Sequence, residues 1–129
     1  MGDDDIRYYY ATGHPSSVDQ HLRQSIAQFA RHGAFHRIVG ITNNPERRWS
    51  EKYRDFGWDK MVVIYQSSCW EYVKNIERSL IESLGNSFTG GFYWNQTKGG
   101  EGRQPNDSPF YVYLVTANKW SRIDFSTKQ

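Results

Sequence analysis

Between Met61 and Leu84 the apolar pattern of the chain changes period, and that change restricts the fold more than any other feature. Met61 to Tyr65 is a continuous apolar run, long enough for a central strand and too short for a helix. From Cys69 to Leu84 the apolar residues recur at helical spacing, and Gly85 is the expected stop. A strand leading straight into an amphipathic helix needs a sheet for that helix to cover. The same alternation fills the rest of the chain. Ile6 to Thr12 is rich in Tyr and reads as a strand closed by Gly13, His14 and Pro15. Ser16 or Ser17 then caps a helix bearing Val18, Leu22, Ile26, Phe29 and Ala30 at helical spacing, with Gly33 ending it. A second strand is expected at about His36 to Thr42. Asn44 and Pro45, a capping residue before the residue favoured at the first helical position, open a short helix to about Phe56. Five glycines between Gly90 and Gly102 mark residues 86–107 as mostly loop, and Phe110 to Val115 reads as a last strand. The predicted order is β-α-β-α-β-α-loop-β.

One domain is expected over residues 1–129, with an acidic tail over 1–5 and a C-terminal tail from about Asn118. Apolar residues make up only 37% of the chain, but five Trp, nine Tyr and seven Phe enlarge whatever core forms. Sixteen basic and fourteen acidic residues leave a formal charge of +2, so any affinity for nucleic acid must come from a local patch. Cys69 stands alone, which excludes an intramolecular disulfide and suits a reducing compartment as a small buried hydrophobe. No apolar run approaches a membrane span, and Met1 to Asp5 lacks the basic-then-apolar order of a signal region. No membrane partner and an intracellular location, cytoplasmic or nuclear, are expected.

Helical geometry isolates two candidates. Placed at 100° steps, Cys69, Trp70, Tyr72, Val73, Ile76, Leu80, Ile81 and Leu84 share one broad face of the third helix, and Glu77 falls inside it. Glu71, Lys74, Arg78 and Glu82 fall outside. A core-facing carboxylate loses hydration unless it is paired, hydrogen-bonded or bound to a metal. Either Glu77 has a functional role, or it sits at the edge of the stripe and pairs with an Arg. In the second helix Pro45, Trp49, Tyr53 and Phe56 define the buried side and Arg47 and Arg54 point away. Arg48 and Lys52 share a border, where a common anionic partner would offset their repulsion. Simple solvation of border charges is the alternative.

The segment Ile38 to Trp49 (IVGITNNPERRW) resembles the second motif of the GIY-YIG endonuclease family. There a strand ending Tyr-Ile-Gly or Tyr-Val-Gly runs through a polar turn into a helix bearing an essential Arg. Val39 and Gly40 match, and Arg48 before Trp49 takes the Arg position. Ile6, Arg7, Tyr8 is the best counterpart of the first motif, with Tyr8 as its tyrosine. Glu77, Leu80, Ile81 and Leu84 fit the family's E-x-x-L-I-x-x-L helix, and Asn95 fits the Asn before its glycine-rich segment. The match spans roughly residues 6 to 102. Ile38 replaces the second-motif Tyr, the first motif lacks its Gly, Lys52 stands where some members carry a His, and a helix fills the interval where typical members have a hairpin.

The resemblance implies an α+β fold with a small, mostly antiparallel central sheet flanked by helices, and metal-dependent hydrolysis of DNA. By the same resemblance Glu77 would hold one Mg²⁺, or another divalent ion such as Mn²⁺, since a hard ion that keeps its waters suits a single carboxylate. Arg48 would contact the scissile phosphate and Tyr8 would orient or deprotonate the attacking water. For the missing tyrosine, His36 shares a strand face with Ile38, and Tyr10 shares one with Tyr8. Both are site candidates whose alternative is ordinary packing. Lys52, Lys98 and Asn95 are candidate substrate contacts. Two other classes compete with the nuclease: a catalytically degenerate nucleic-acid-binding module and a protein-interaction domain.

Overall fold

The computed structural model describes residues 5–31, 36–86, 92–93, 105 and 107–118. Its elements follow the predicted order: β1 (Ile6–Ala11), α1 (Pro15–Arg31), β2 (His36–Thr42), α2 (Pro45–Arg48), β3 (Lys60–Ser67), α3 (Trp70–Asn86), β4 (Phe92–Tyr93) and β5 (Phe110–Ala117). The α+β class holds. Several ends differ. His14 rather than a serine stands before α1: its carbonyl accepts the Ser17 N–H at 2.9 Å and its Nδ1 accepts the Ser16 N–H at 3.1 Å. Pro15 then takes the first helical position, where its missing N–H costs nothing. Gly85 does not stop α3, which runs one residue further. Gly33, the expected end of α1, and the glycines from Gly99 to Gly102 lie outside the described residues. Within the expected loop, Phe92–Tyr93 forms a two-residue strand.

The sheet has five strands in the order β1-β3-β5-β2-β4. β5 is antiparallel to both its neighbours, whereas β1 pairs with β3 and β4 with β2 in parallel. Four strands therefore run one way and β5 runs against them, so the sheet is mixed rather than mostly antiparallel. The expected strands near Tyr8, Val39, Val63 and Tyr111 all belong to it. β1, however, does not lie beside β2; two strands separate them. The burial of each strand explains its place. β3 and β5 are buried along nearly their whole length, as interior strands must be, while β1 exposes Arg7, Tyr8, Tyr9 and Tyr10 and suits an edge.

The helices α1 and α3 pack together on one face of the sheet, where Leu22, Ile26, Val73, Ile76 and Leu80 meet Val39, Val62, Ile64, Val112 and Leu114. Across their outer surface the Arg23 guanidinium donates to Ser79 Oγ at 2.8 Å and pairs with Asp19 at 2.9 Å. The segment after β2 covers the opposite face, where Trp49, Tyr53 and Trp58 pack on Ile6, Ile38, Met61, Val63, Tyr113 and Val115. Gly13, at φ +113°, turns the chain from β1 into α1 in a conformation that favours glycine.

Candidate functional site

The turn after β2 is fixed by local hydrogen bonds. Asn44 N–H donates to Thr42 Oγ1 at 3.1 Å, and the Asn44 side chain accepts the Arg47 N–H at 3.1 Å, with Pro45 next in the first helical turn. The cap foreseen from Asn44-Pro45 is thus made. After one turn α2 widens into a π-helical turn over Trp49–Tyr53 and narrows into a 3₁₀ turn over Arg54–Phe56. Such widened turns recur at functional sites. Pro45, Trp49 and Tyr53 are buried and Phe56 is half-buried, the side expected from their spacing.

That spacing separates the two arginines. Arg47 is exposed, hydrogen-bonds Asn43 Oδ1 at 3.2 Å and lies 3.7 Å from the Glu51 carboxylate. Arg48 is half-buried at the edge of the aromatic core, as its helical position requires. Lys52 is exposed.

The sheet contributes a row of residues in register: Tyr8 opposite Val63, Val63 opposite Tyr113, and Tyr113 opposite Gly40. Gly40 adds no side chain beside Tyr113. Over this row the Tyr53 hydroxyl meets the Tyr113 hydroxyl at 2.8 Å, both rings being fully buried. Burial pushes the Tyr53 phenol well above the usual tyrosine range, and Tyr113 pushes it further by charge and hydrogen bond; Arg48 acts against this and Glu77 with it. The phenol is therefore protonated at neutral pH and can donate or orient, but not serve as a base.

Glu77 stands where helical geometry placed it. It is 9% exposed, among the buried Val73, Ile76, Leu80 and Ile81, while Glu71, Arg78 and Glu82 are exposed. Its charge and that of Arg48 both reach Tyr53. Arg48 lies on the segment over one face of the sheet and Glu77 on the helix over the other, and the phenol on which both charges act is Tyr53 rather than Tyr8. Tyr8 lies two strands from Tyr113, about 10 Å at the usual strand spacing, and is 45% exposed. Burial, then Glu46 and Tyr111, raise its phenol above the ordinary range. Tyr10 meets the Tyr111 ring edge-on at 6.0 Å.

His36 is not brought to this point. It begins β2 opposite Ala117, four residues or about 13 Å along the strand from Gly40. It is buried, and burial holds its imidazole below the usual range against the smaller opposing effect of Asp59. Asn95 and Lys98 lie outside the described residues.

Sequence reading missed Tyr113, and the signal was present. The run Phe110 to Val115 is apolar on both faces, which marks an interior strand, whereas β1 is exposed from Arg7 through Tyr10, as an edge strand can be. A cluster of three or more His, Cys, Asp or Glu side chains suited to a metal is absent among the described residues. Glu77 is a buried carboxylate, and a hard divalent ion that keeps most of its waters is the metal whose chemistry suits a single oxygen ligand. No helix among the described residues is long and apolar enough to cross a membrane. No family model, no curated protein and no solved structure matches the chain.

Proposed function

We propose that this chain is a divalent-metal-dependent endonuclease that hydrolyses DNA phosphodiester bonds, a divergent relative of the GIY-YIG nucleases. One observation carries the reading: Glu77, singled out by helical geometry and by motif spacing, is a carboxylate only 9% exposed among apolar neighbours, and Arg48, singled out the same way, is half-buried. The sheet topology revises the resemblance in one respect. The strand beside the Gly40 strand is β5, so Tyr113 rather than Tyr8 supplies the phenol next to the second motif, and Tyr53 hydrogen-bonds to it.

Hydrolysis needs a positioned water, neutralised phosphoryl charge and a stabilised leaving oxygen. The half-buried Arg48 guanidinium offers a planar fork to two phosphate oxygens in a site partly screened from water. Held in place by the capped turn, it needs little reorganisation to meet the charge that grows on the phosphoryl group. The protonated phenols hold and orient by hydrogen bonding. Glu77 is the residue that would hold the divalent ion, which when bound supplies charge neutralisation and activates water.

The test is a plasmid-nicking assay on purified protein in Mg²⁺, in Mn²⁺ and in chelator. Arg48→Ala is expected to lower the rate by about 10²- to 10³-fold, the usual cost of one positioned donor. Arg47→Ala, whose side chain is exposed, is expected to nick at nearly the wild-type rate. Equal loss in both, at equal folded fraction, would replace a positioned guanidinium by general electrostatics. Protein that retards DNA yet nicks none under any condition would be a binding module.

A further inference from the structure

β1 exposes Tyr8, Tyr9 and Tyr10 to 45%, 66% and 43%, three adjacent phenol rings at the edge of the sheet. Large exposed apolar groups clustered on one surface mark interaction sites far more often than the same groups scattered singly. Tyr8, in register with Val63, lies on the face of Ile6, Tyr53 and Tyr113. The register shifts between Tyr8 and Ala11, but the contact of Tyr10 with Tyr111, which packs on the same cluster, puts Tyr10 on that face too, with Tyr9 between them turned to the other. The edge-on contact with Tyr111 holds Tyr10 on this face, and Tyr111 and Glu46 both lie within electrostatic reach of Tyr8. Tyr8, Tyr10 and Tyr111 therefore form one aromatic patch on the face of the Tyr113 row, with the Glu46 carboxylate within electrostatic reach.

We propose that this patch stacks the unpaired bases of single-stranded DNA and leads the strand toward Arg48, an inference that rests on the nuclease reading and specifies its substrate. The chemistry favours bases over phosphates at the patch. Its charged member is a carboxylate, which repels phosphate but accepts hydrogen bonds from the exocyclic amines of bases. The exposed Lys52 and the half-buried Arg48 follow Glu46 on the same helical segment, so the phosphates have cations to track along its other sides. Duplex DNA keeps its base faces stacked within the helix, whereas an unpaired strand can lay each base on a ring. Tyr8 and Tyr10 are separate exposed rings two residues apart in the chain, so each can carry its own base.

Fluorescence anisotropy in chelator, where no cleavage occurs, tests this with a short labelled oligonucleotide and its blunt duplex. Wild type is expected to bind the single strand more tightly. Tyr8→Ala and Tyr10→Ala should each weaken that binding roughly tenfold, the size of one base–aromatic stack, with little effect on the duplex. The paired Phe replacements should bind like wild type, because stacking needs the ring and not the hydroxyl. Tyr9→Ala, on the opposite face, should stay within about twofold of wild type. Equal or tighter binding of the duplex by wild type would overturn the proposal. So would Phe variants as weak as the Ala variants, or a Tyr9→Ala loss equal to that of its neighbours. Nicking that depends on Arg48 without any preference for the single strand would sink this inference and leave the nuclease standing. Ring-dependent binding in a protein that never nicks would do the reverse.

Discussion

The two faces of the sheet are built from different chemistry. Under α1 and α3 the core is largely aliphatic, with Leu22, Ile26, Ile76 and Leu80 against Val62, Ile64, Val112 and Leu114. Under the segment from Pro45 to Phe56 it is largely aromatic, with Trp49, Tyr53, Trp58 and Tyr113 in contact, and those rings bring polar atoms with them. Aliphatic side chains contribute burial and nothing that must be satisfied. The aromatic face buries a hydroxyl pair, a half-covered guanidinium and an indole N–H on Trp49 that finds no hydrogen-bond partner among the described residues. An unsatisfied donor in the interior costs stability and calls for an explanation. The contrast is between a face that only holds the fold and one that also buries polar atoms, where the proposed chemistry would lie.

The sharpest way to break that division is to damage each face and read stability and nicking separately. Leu80→Ala empties a fully buried position on the aliphatic face and should cost about 2 to 5 kcal/mol in urea unfolding, while nicking per folded molecule is unchanged. A large fall in activity at full folded fraction would mean that the faces are not separable.

Glu77→Gln asks the complementary question, because Glu77 lies on the helix of the aliphatic face yet acts on the phenol of the other. The substitution keeps the shape and removes the charge. A carboxylate retained for function at a cost to the fold predicts loss of Mg²⁺-dependent nicking with the melting temperature in chelator unchanged or raised. A structural ion pair predicts a destabilisation of about 3 to 5 kcal/mol with nicking retained. Thermal melts beside the plasmid assay separate the two.

Smaller again is the hydroxyl pair. Tyr53→Phe and Tyr113→Phe each remove the 2.8 Å bond between them, and each should cost on the order of 1 kcal/mol. Because the bond is lost only once, the double variant should cost less than the sum of the two, and additive costs would deny the coupling. If these phenols orient the reacting groups, both single variants also nick more slowly at equal folded fraction.

What could be read from the sequence was what is locally encoded. Asn44 and Pro45 declare a helix start by their own backbone chemistry, and Arg48, Trp49 and Glu77 are placed by a period of 3.6 residues, so their positions were legible. Strand adjacency is not local. β5 is last among the strands yet sits between β3 and β2, whereas the resemblance led to Tyr8, on a strand that two others separate from β2. The π-helical turn and the two-residue β4 were illegible for the opposite reason: each is too short to carry a period.

The smallest expected effect concerns the far end of the aromatic face, where His36 is buried and the strand row of Tyr113 lies four residues away. Burial holds the imidazole below the ordinary range of about 6.5, and the nearby Asp59 offsets only part of that. The sign follows from proton binding. Between the folded and the ordinary pKa the unfolded chain binds the extra proton, so acidification favours unfolding. The contribution of His36 is fully present above about pH 6.5 and is lost as pH falls from there through the folded value. Urea midpoints of wild type should therefore fall between about pH 7 and pH 5.5 more steeply than those of His36→Gln, whatever the difference in their absolute stabilities. Comparing slopes cancels the titrations the two proteins share. If wild type instead gains stability relative to the variant on acidification, the Asp59 charge outweighs burial, and His36 is an ion-pair partner rather than a neutral group packed at the end of the sheet.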